Sequence, residues 1–150
     1  AGLLGRITPF DQYNPELWEQ VMQVNMNGPI WMTQALLPLL QASDDASVVF
    51  TSSSVGRKGR AYWGAYSVSK FATEGFVEVL ADELDNQPNV RVNTLNPGAT
   101  RTQMRRTAYP GEDPFTLRTP EEIMPTYLWL MGPDSKGVSG QKFDAQPPRA

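Results

Sequence analysis

The stretch that decides the fold runs from Ser47 to Lys70, SVVFTSSSVGRKGRAYWGAYSVSK. Ser47-Val48-Val49-Phe50-Thr51 is a short continuous run of β-branched and aromatic residues, the pattern of a buried strand. Ser52 to Gly64 is small, polar and glycine-containing, hence a loop. From Ala65 to Glu83 the apolar positions, Phe71, Phe76, Val77, Val79 and Leu80 among them, predict a helix. Downstream, Val90-Arg91-Val92-Asn93-Thr94-Leu95 predicts a second strand, closed by Asn96-Pro97-Gly98.

Outward from this centre the alternation continues. Ser43-Asp44-Asp45 is a turn. Asn14-Pro15-Glu16 supplies an N-cap, a proline at the first helical position and an early acid. Leu17 to Leu40 then carries apolar residues at helical spacing, interrupted by Asn25, Gly28 and Pro29; Pro29 is expected to bend or break the helix near Asn25. Thr100 to Arg118 shows no regular period and is expected to be a long functional loop. Thr119-Pro120-Glu121-Glu122 predicts the start of a third helix, running to Met131. Gly140 to Ala145 predicts a last strand, and residues 146–150, with Pro147-Pro148, a frayed tail. Helix, strand, helix, strand, helix, strand argues an α/β fold in one domain, with a parallel sheet covered on both faces.

Composition narrows the chemistry. The chain of 150 residues has a formal net charge of −3, which gives a nucleic-acid partner no electrostatic support. Its longest apolar runs, such as Ala35 to Leu40, are far too short to cross a bilayer. No signal peptide is visible, so a cytoplasmic location is the expectation. Cysteine and histidine are both absent. That excludes thiol catalysis and a histidine-bearing metal site, and no metal is expected. A general base is left to a carboxylate, a lysine, a tyrosine or a water. The opening Ala1-Gly2-Leu3-Leu4-Gly5 reads like the interior of a protein, so a fragment or a processed chain is expected.

Tyr66-Ser67-Val68-Ser69-Lys70 puts a phenol and an ammonium one helical turn apart on the same face. A free phenol titrates near ~10; a fixed cation close by favours the phenolate and lowers that value. Tyr66 then exchanges a proton with a substrate oxygen. The competing reading is a surface tyrosine beside an exposed lysine. Thr51-Ser52-Ser53-Ser54-Val55-Gly56 lies at the C-terminal end of a strand, where open parallel sheets bind ligands. A serine there can hold a substrate oxygen facing Tyr66, although serine clusters are also ordinary turn material. Asn96-Pro97-Gly98 ends the next strand on the same edge of the sheet; it too has a plain reading, as a turn.

Together these residues resemble the short-chain dehydrogenase/reductase family. The spacing from Ser53 to Tyr66-x-x-x-Lys70, with Gly56 three residues after the serine, is similar to that family's active-site motif. Ala1-Gly2 resembles the end of its N-N-A-G motif, Asn25 in Val24-Asn25-Met26-Asn27-Gly28 the asparagine of its tetrad, and Pro97-Gly98-Ala99-Thr100-Arg101-Thr102 its P-G-x-x-x-T motif. The segments TSSSVGR, YLWLMG and FDAQP resemble a bacterial subgroup. The resemblance implies the C-terminal, catalytic half of a doubly wound parallel-sheet Rossmann fold, with about three strands. It implies hydride transfer between NAD(P)(H) and a carbonyl or alcohol.

In that frame Tyr66 is the general acid/base, and Lys70 lowers its pKa and binds the nicotinamide ribose. Ser53 orients the carbonyl, and the Asn25 backbone holds a proton-relaying water. Pro97, Gly98 and Thr102 line the nicotinamide end of the cofactor. Residues 100–118 correspond to the substrate lid, where Arg101, Arg105, Arg106 and Arg118 attract an anion or, in the favoured reading, are simply solvated. Tyr62 and Trp63 either border the pocket or pack elsewhere. The glycine-rich G-x-x-x-G-x-G loop does not occur in the sequence, nor does the residue that chooses NAD or NADP, so these 150 residues alone are expected to be inactive. The strand at Val48 to Phe50 is expected to leave an edge bare. A homo-oligomer through the two long helices is expected. Two other functions compete, a non-catalytic association module and a sugar-nucleotide epimerase.

Overall fold

A computed structural model describes residues 2–147; Ala1 and the tail residues 148–150 lie outside the described residues. Helix α1 is Pro15–Met22, opened by Asn14, whose side chain accepts from the Leu17 N–H at 2.9 Å. Helix α2 is Gly28–Gln41, strand β1 Ala46–Thr51 and helix α3 Gly64–Glu83. Strand β2 is Val90–Asn96, helix α4 Gln103–Ala108, helix α5 Met124–Met131 and strand β3 Lys142–Asp144. The strands form one parallel sheet in the order β1-β2-β3. Val48 stands opposite Val92 and Leu95 opposite Phe143. All three strands therefore end on the same edge, and the expected α/β architecture is the observed one.

The core is a seam between α3 and the sheet: Val77, Leu80 and Leu84 meet Ala46, Val90 and Val92. Phe50 and Phe76 close it with an edge-to-face contact, ring centroids 5.5 Å apart. Central β2 is buried along most of its length, including Arg91, Asn93 and Thr94. Buried polar groups need partners, and each of these has at least one, although the Arg91 Nε has none among the described residues. Arg91 pairs with Asp45, Asn93 donates to the Val138 carbonyl at 2.7 Å, and Thr94 donates to Glu74 at 2.9 Å. Strand β1 is less covered than its apolar run suggests. Only Ala46 is buried, because β1 has a strand neighbour on one side alone among the described residues.

The helix through Asn25 neither breaks nor ends. Residues Gln23–Asn27 form a π turn that joins α1 to α2, with the Gly28 N–H reaching the Gln23 carbonyl five residues back. Pro29 has no N–H to give to the Asn25 carbonyl, and the wider π register absorbs the gap. Such single π turns are frequent at functional sites.

Three further expectations are corrected. The 100–118 segment is not structureless: α4 lies inside it, and a bridge between Thr100 and Arg118 closes its base. The Thr102 hydroxyl accepts from the Arg105 N–H at 3.1 Å and starts that helix. Thr102→Ala is expected to cost about 1 kcal/mol of local stability, read as faster amide exchange across residues 103–108, while Thr102→Ser restores it. Equal exchange in the alanine variant would remove the cap from the account.

The third helix starts later than predicted. Glu121–Ile123 is a single 3-10 turn, and the α-helical part opens at Met124 with Pro125 in its first turn. Of the expected cap only the return contact is present, with Glu122 accepting from the Thr119 N–H at 2.7 Å, while the turn Glu121–Ile123 has no side-chain cap. At the tail, Gln146 is not frayed. Its amide donates to the Pro97 carbonyl at 2.7 Å and to the Ala99 carbonyl at 3.1 Å.

Candidate active site

A cleft of about 670 Å³ opens at the C-terminal ends of β1 and β2. Ser53, Tyr66 and Lys70 border it together with Asn25, Pro97, Gly98 and Thr102. The seven residues expected to act on substrate or to hold the cofactor are thus brought to one place, while Tyr62, Arg101, Arg106 and Arg118 do not border the cleft.

Each is positioned by local chemistry. Ser53 is extended backbone at the end of β1 and opens the 3-10 turn Ser54–Gly56, its hydroxyl accepting from the Val55 N–H at 3.4 Å. Tyr66 and Lys70 are consecutive turns of α3, and both are buried. The Ser67 hydroxyl holds that first turn against the serine turn by donating to the Val55 carbonyl at 2.6 Å. Asn25 uses its side chain as a clamp. Its amide accepts from the Leu3 N–H at 2.7 Å, donates to the Leu3 carbonyl at 2.8 Å and reaches the Ser69 hydroxyl at 3.1 Å. Ser69 in turn donates to the Tyr66 carbonyl at 2.8 Å. Asn25 is therefore joined to the Tyr66 turn through side chains.

Gly98 has φ +72, a backbone that favours glycine. An added Cβ there would stand 3.1 Å from the Gln146 amide nitrogen. Gln146 is a supporting residue that sequence reasoning missed; it fixes the Pro97-Gly98-Ala99-Thr100 loop from the chain's far end.

Electrostatics differ from the expectation at one point. Burial pushes the Tyr66 phenol above its ordinary value, and a hydrogen bond from the Ser53 hydroxyl pulls the other way without overcoming it. A lysine-driven decrease is not what this structure shows. The Lys70 ammonium lies 5.6 Å from the centroid of the Tyr66 ring and donates to the Thr51 carbonyl at 2.8 Å. Its own pKa is lowered to about 8, because burial disfavours the charged form.

A lysine with a depressed folded pKa destabilises the fold while it is charged. The unfolded chain binds more protons between pH 8 and ~10.4. Stability should therefore rise with pH above 8, until the raised Tyr66 opposes the trend beyond ~10. Urea unfolding of the protein and of Lys70→Met at pH 8 and pH 10 checks this. The gap between them should shift in favour of the native lysine at pH 10, and an unchanged gap refutes the burial account.

The 100–118 segment meets the cleft through Met104, Arg105 and Ala108. Two of its arginines are engaged within the segment itself. Arg101 donates to the Pro114 and Leu117 carbonyls, and Arg105 forks onto Glu112 at 2.6 and 2.7 Å. Trp63 borders the cleft, its ring 5.8 Å from that of Tyr66 and 5.9 Å from that of Tyr109. Tyr62 turns outward, 59% exposed, with φ +74.

Comparison with known proteins agrees with this geometry. The short chain dehydrogenase family model matches residues 1–113. The uncharacterized oxidoreductase YciK of Escherichia coli K12 is 62% identical over 149 residues, which are 99% of this chain and 58% of that protein. A crystal structure of a short chain dehydrogenase from Salmonella enterica serovar Typhi superposes with a TM-score of 0.95 at 62% identity, over 98% of this chain and 60% of the other. A short chain dehydrogenase from Shigella flexneri, solved in complex with NADP, gives a TM-score of 0.94 at 60% identity, over 98% of this chain and 61% of the other. The chain thus spans about three fifths of the length of these relatives. With a cleft that gathers the motif residues at the sheet's carboxyl edge and a family match across most of the sequence, the chain belongs to the short-chain dehydrogenase/reductase family of oxidoreductases.

Proposed function

We propose that this chain is the catalytic half of an NAD(P)(H)-dependent reductase that interconverts a small-molecule carbonyl and an alcohol. The observation that carries the reading is the convergence of Ser53, Tyr66 and Lys70 on one cleft. The cleft also fits a nicotinamide group. Ser52 contributes a buried hydroxyl with no hydrogen-bond partner among the described residues, and the Lys70 ammonium donates to the Thr51 carbonyl from the cleft's edge. The Shigella flexneri relative was solved with NADP, which supports a nicotinamide dinucleotide without choosing its form for this chain. Lys70 would hold the nicotinamide ribose, and Pro97, Gly98 and Thr102 would line the nicotinamide end.

The cofactor supplies the hydride. Ser53 holds the carbonyl oxygen, and Tyr66 gives its phenolic proton to that oxygen as the alcohol forms. A phenol held high by burial is protonated at neutral pH and suited to act as the acid. Lys70, near 8, resupplies that proton to Tyr66 and is itself recharged through a water on the Asn25 carbonyl, the group to which Pro29 cannot donate. Residues 100–118 act as the substrate lid.

We also propose self-association through α2 and α3. Trp31, Met32, Leu36 and Leu39 on α2 and Val68, Phe71 and Val79 on α3 are exposed, and exposed apolar side chains gathered on a helix favour burial against a second copy.

The 150 residues contain no G-x-x-x-G-x-G loop for the diphosphate. By themselves they are expected not to turn over. The test compares them with a fusion to the N-terminal portion of the Escherichia coli relative. NADPH binding and carbonyl reduction by the fusion alone, with the reduction lost and the binding kept on Tyr66→Phe, supports the reading. A fusion that binds NADPH and reduces carbonyls equally well without the Tyr66 hydroxyl overturns it.

A further inference from the structure

Arg57 has no part in the chemistry above, yet it stands where the elements of the site meet. It closes the turn Ser54–Gly56 that Ser53 opens. Its Nε donates to Glu74 Oε1 at 3.1 Å, its Nη1 to both Asp144 oxygens at 3.1 and 3.0 Å, and its Nη2 to the Phe143 carbonyl at 2.9 Å. Glu74 lies one turn of α3 beyond Lys70 and is 3% exposed. Its second oxygen accepts from the Thr94 hydroxyl of β2 at 2.9 Å. Asp144 ends β3 and accepts from the Asn96 amide at 2.7 Å. Asn96 in turn accepts from the Gly98 N–H at 3.0 Å.

One guanidinium thus ties the serine turn to the helix that carries Tyr66 and Lys70, and to the loop that carries Pro97 and Gly98. A buried carboxylate such as Glu74 is tolerated only when paired. Lys142 does not replace Arg57 in this. It remains 3.8 Å from Glu74 and makes its shorter contact, 2.6 Å, to Glu78. The planar fork of arginine serves several acceptors at fixed angles, which an ammonium does not.

We infer that Arg57 is a positioning residue of this site, whose four hydrogen bonds set the Ser53 turn against Tyr66, Lys70 and the Pro97-Gly98 loop. The inference rests on the reductase reading proposed above. The experiment uses the fusion carrying Arg57→Lys, Asp144→Asn or both. NADPH dissociation is followed by nicotinamide fluorescence, kcat and KM at 25 °C, and Tm.

Each single change is expected to weaken NADPH binding and to lower kcat, together on the order of 10-fold to 100-fold in kcat/KM, the scale of a small misplacement. The double variant should be little worse than either single one, because both changes break the same link. A lower Tm with NADPH affinity and kcat at their original values would reduce Arg57 to a structural role and overturn the inference. Should Arg57→Lys fail to fold, Asp144→Asn decides alone, since that carboxylate is 44% exposed. Tyr66→Phe separates the two failures. Activity retained there condemns the chemical reading. Activity lost there, with the Arg57 and Asp144 variants unaffected, condemns only the positioning role.

Discussion

Removing the Tyr66 hydroxyl in the fused enzyme, Tyr66→Phe, is expected to lower kcat by about 10²–10⁴-fold and to leave NADPH affinity unchanged. The phenylalanine ring keeps the packing against Trp63 at 5.8 Å and the burial of the α3 turn. Lys70 keeps its bond to the Thr51 carbonyl. Only the proton donor and its contact with Ser53 disappear. A variant that binds NADPH normally yet retains most of its kcat would show that the proton comes from elsewhere.

The same pair of groups fixes the direction of the pH dependence. Carbonyl reduction needs Tyr66 protonated and Lys70 able to resupply it. Burial keeps Tyr66 protonated well past neutrality, so the limit is set by Lys70. The kcat/KM for reduction should hold below pH 8 and fall as pH passes about 8. Alcohol oxidation, which runs the relay in reverse and needs a neutral Lys70 to take up the proton, should climb across the same range. A reduction profile that rises above pH 8 would contradict both assignments.

How much of this was legible in the sequence depends on the distance over which each feature is decided. Strands β1 and β2 and helix α3 are local patterns, β-branched runs and helical spacing, and their bounds lie within one or two residues of the predicted ones. The site residues follow from those elements, because parallel strands carry Ser53 and Pro97 to the same edge. Helix α4 escaped because six residues show no period; only the Thr102 cap announces it. Gly28-Pro29 marked a disturbance, but whether a proline breaks a helix or widens it into a π turn depends on what α1 and α2 pack against. The Gln146 and Arg57 contacts were invisible for another reason. Gln146 reaches Pro97 and Arg57 reaches Asp144 across 49 and 87 residues, and no local pattern encodes such a pair. The direction of the Tyr66 shift was misread because spacing reveals the neighbouring cation but not the desolvation that outweighs it.

Gly56→Ala is expected to damage stability and turnover together. No left-handed backbone requires glycine at this position; space does. A Cβ on Gly56 would stand 2.7 Å from the Lys70 Cβ, and 2.8 and 2.9 Å from the Lys70 carbonyl carbon and oxygen. Two of these are backbone atoms in the middle of a 20-residue helix, so the helix cannot yield and the serine turn must. Overpacking of this kind costs about 1–3 kcal/mol, to be read as a lower urea midpoint. The catalytic cost should be larger than stability predicts. The turn that moves begins at Ser53, and a displacement of roughly 1 Å there is worth on the order of 10²-fold in rate. Gly59→Ala is the matched control, three residues along the same loop with nothing within 4 Å of its added Cβ; it should change neither quantity. If Gly56→Ala matched that control in both midpoint and kcat, the serine turn would not be seated on Lys70. The distance between hydroxyl and phenol would then need another support.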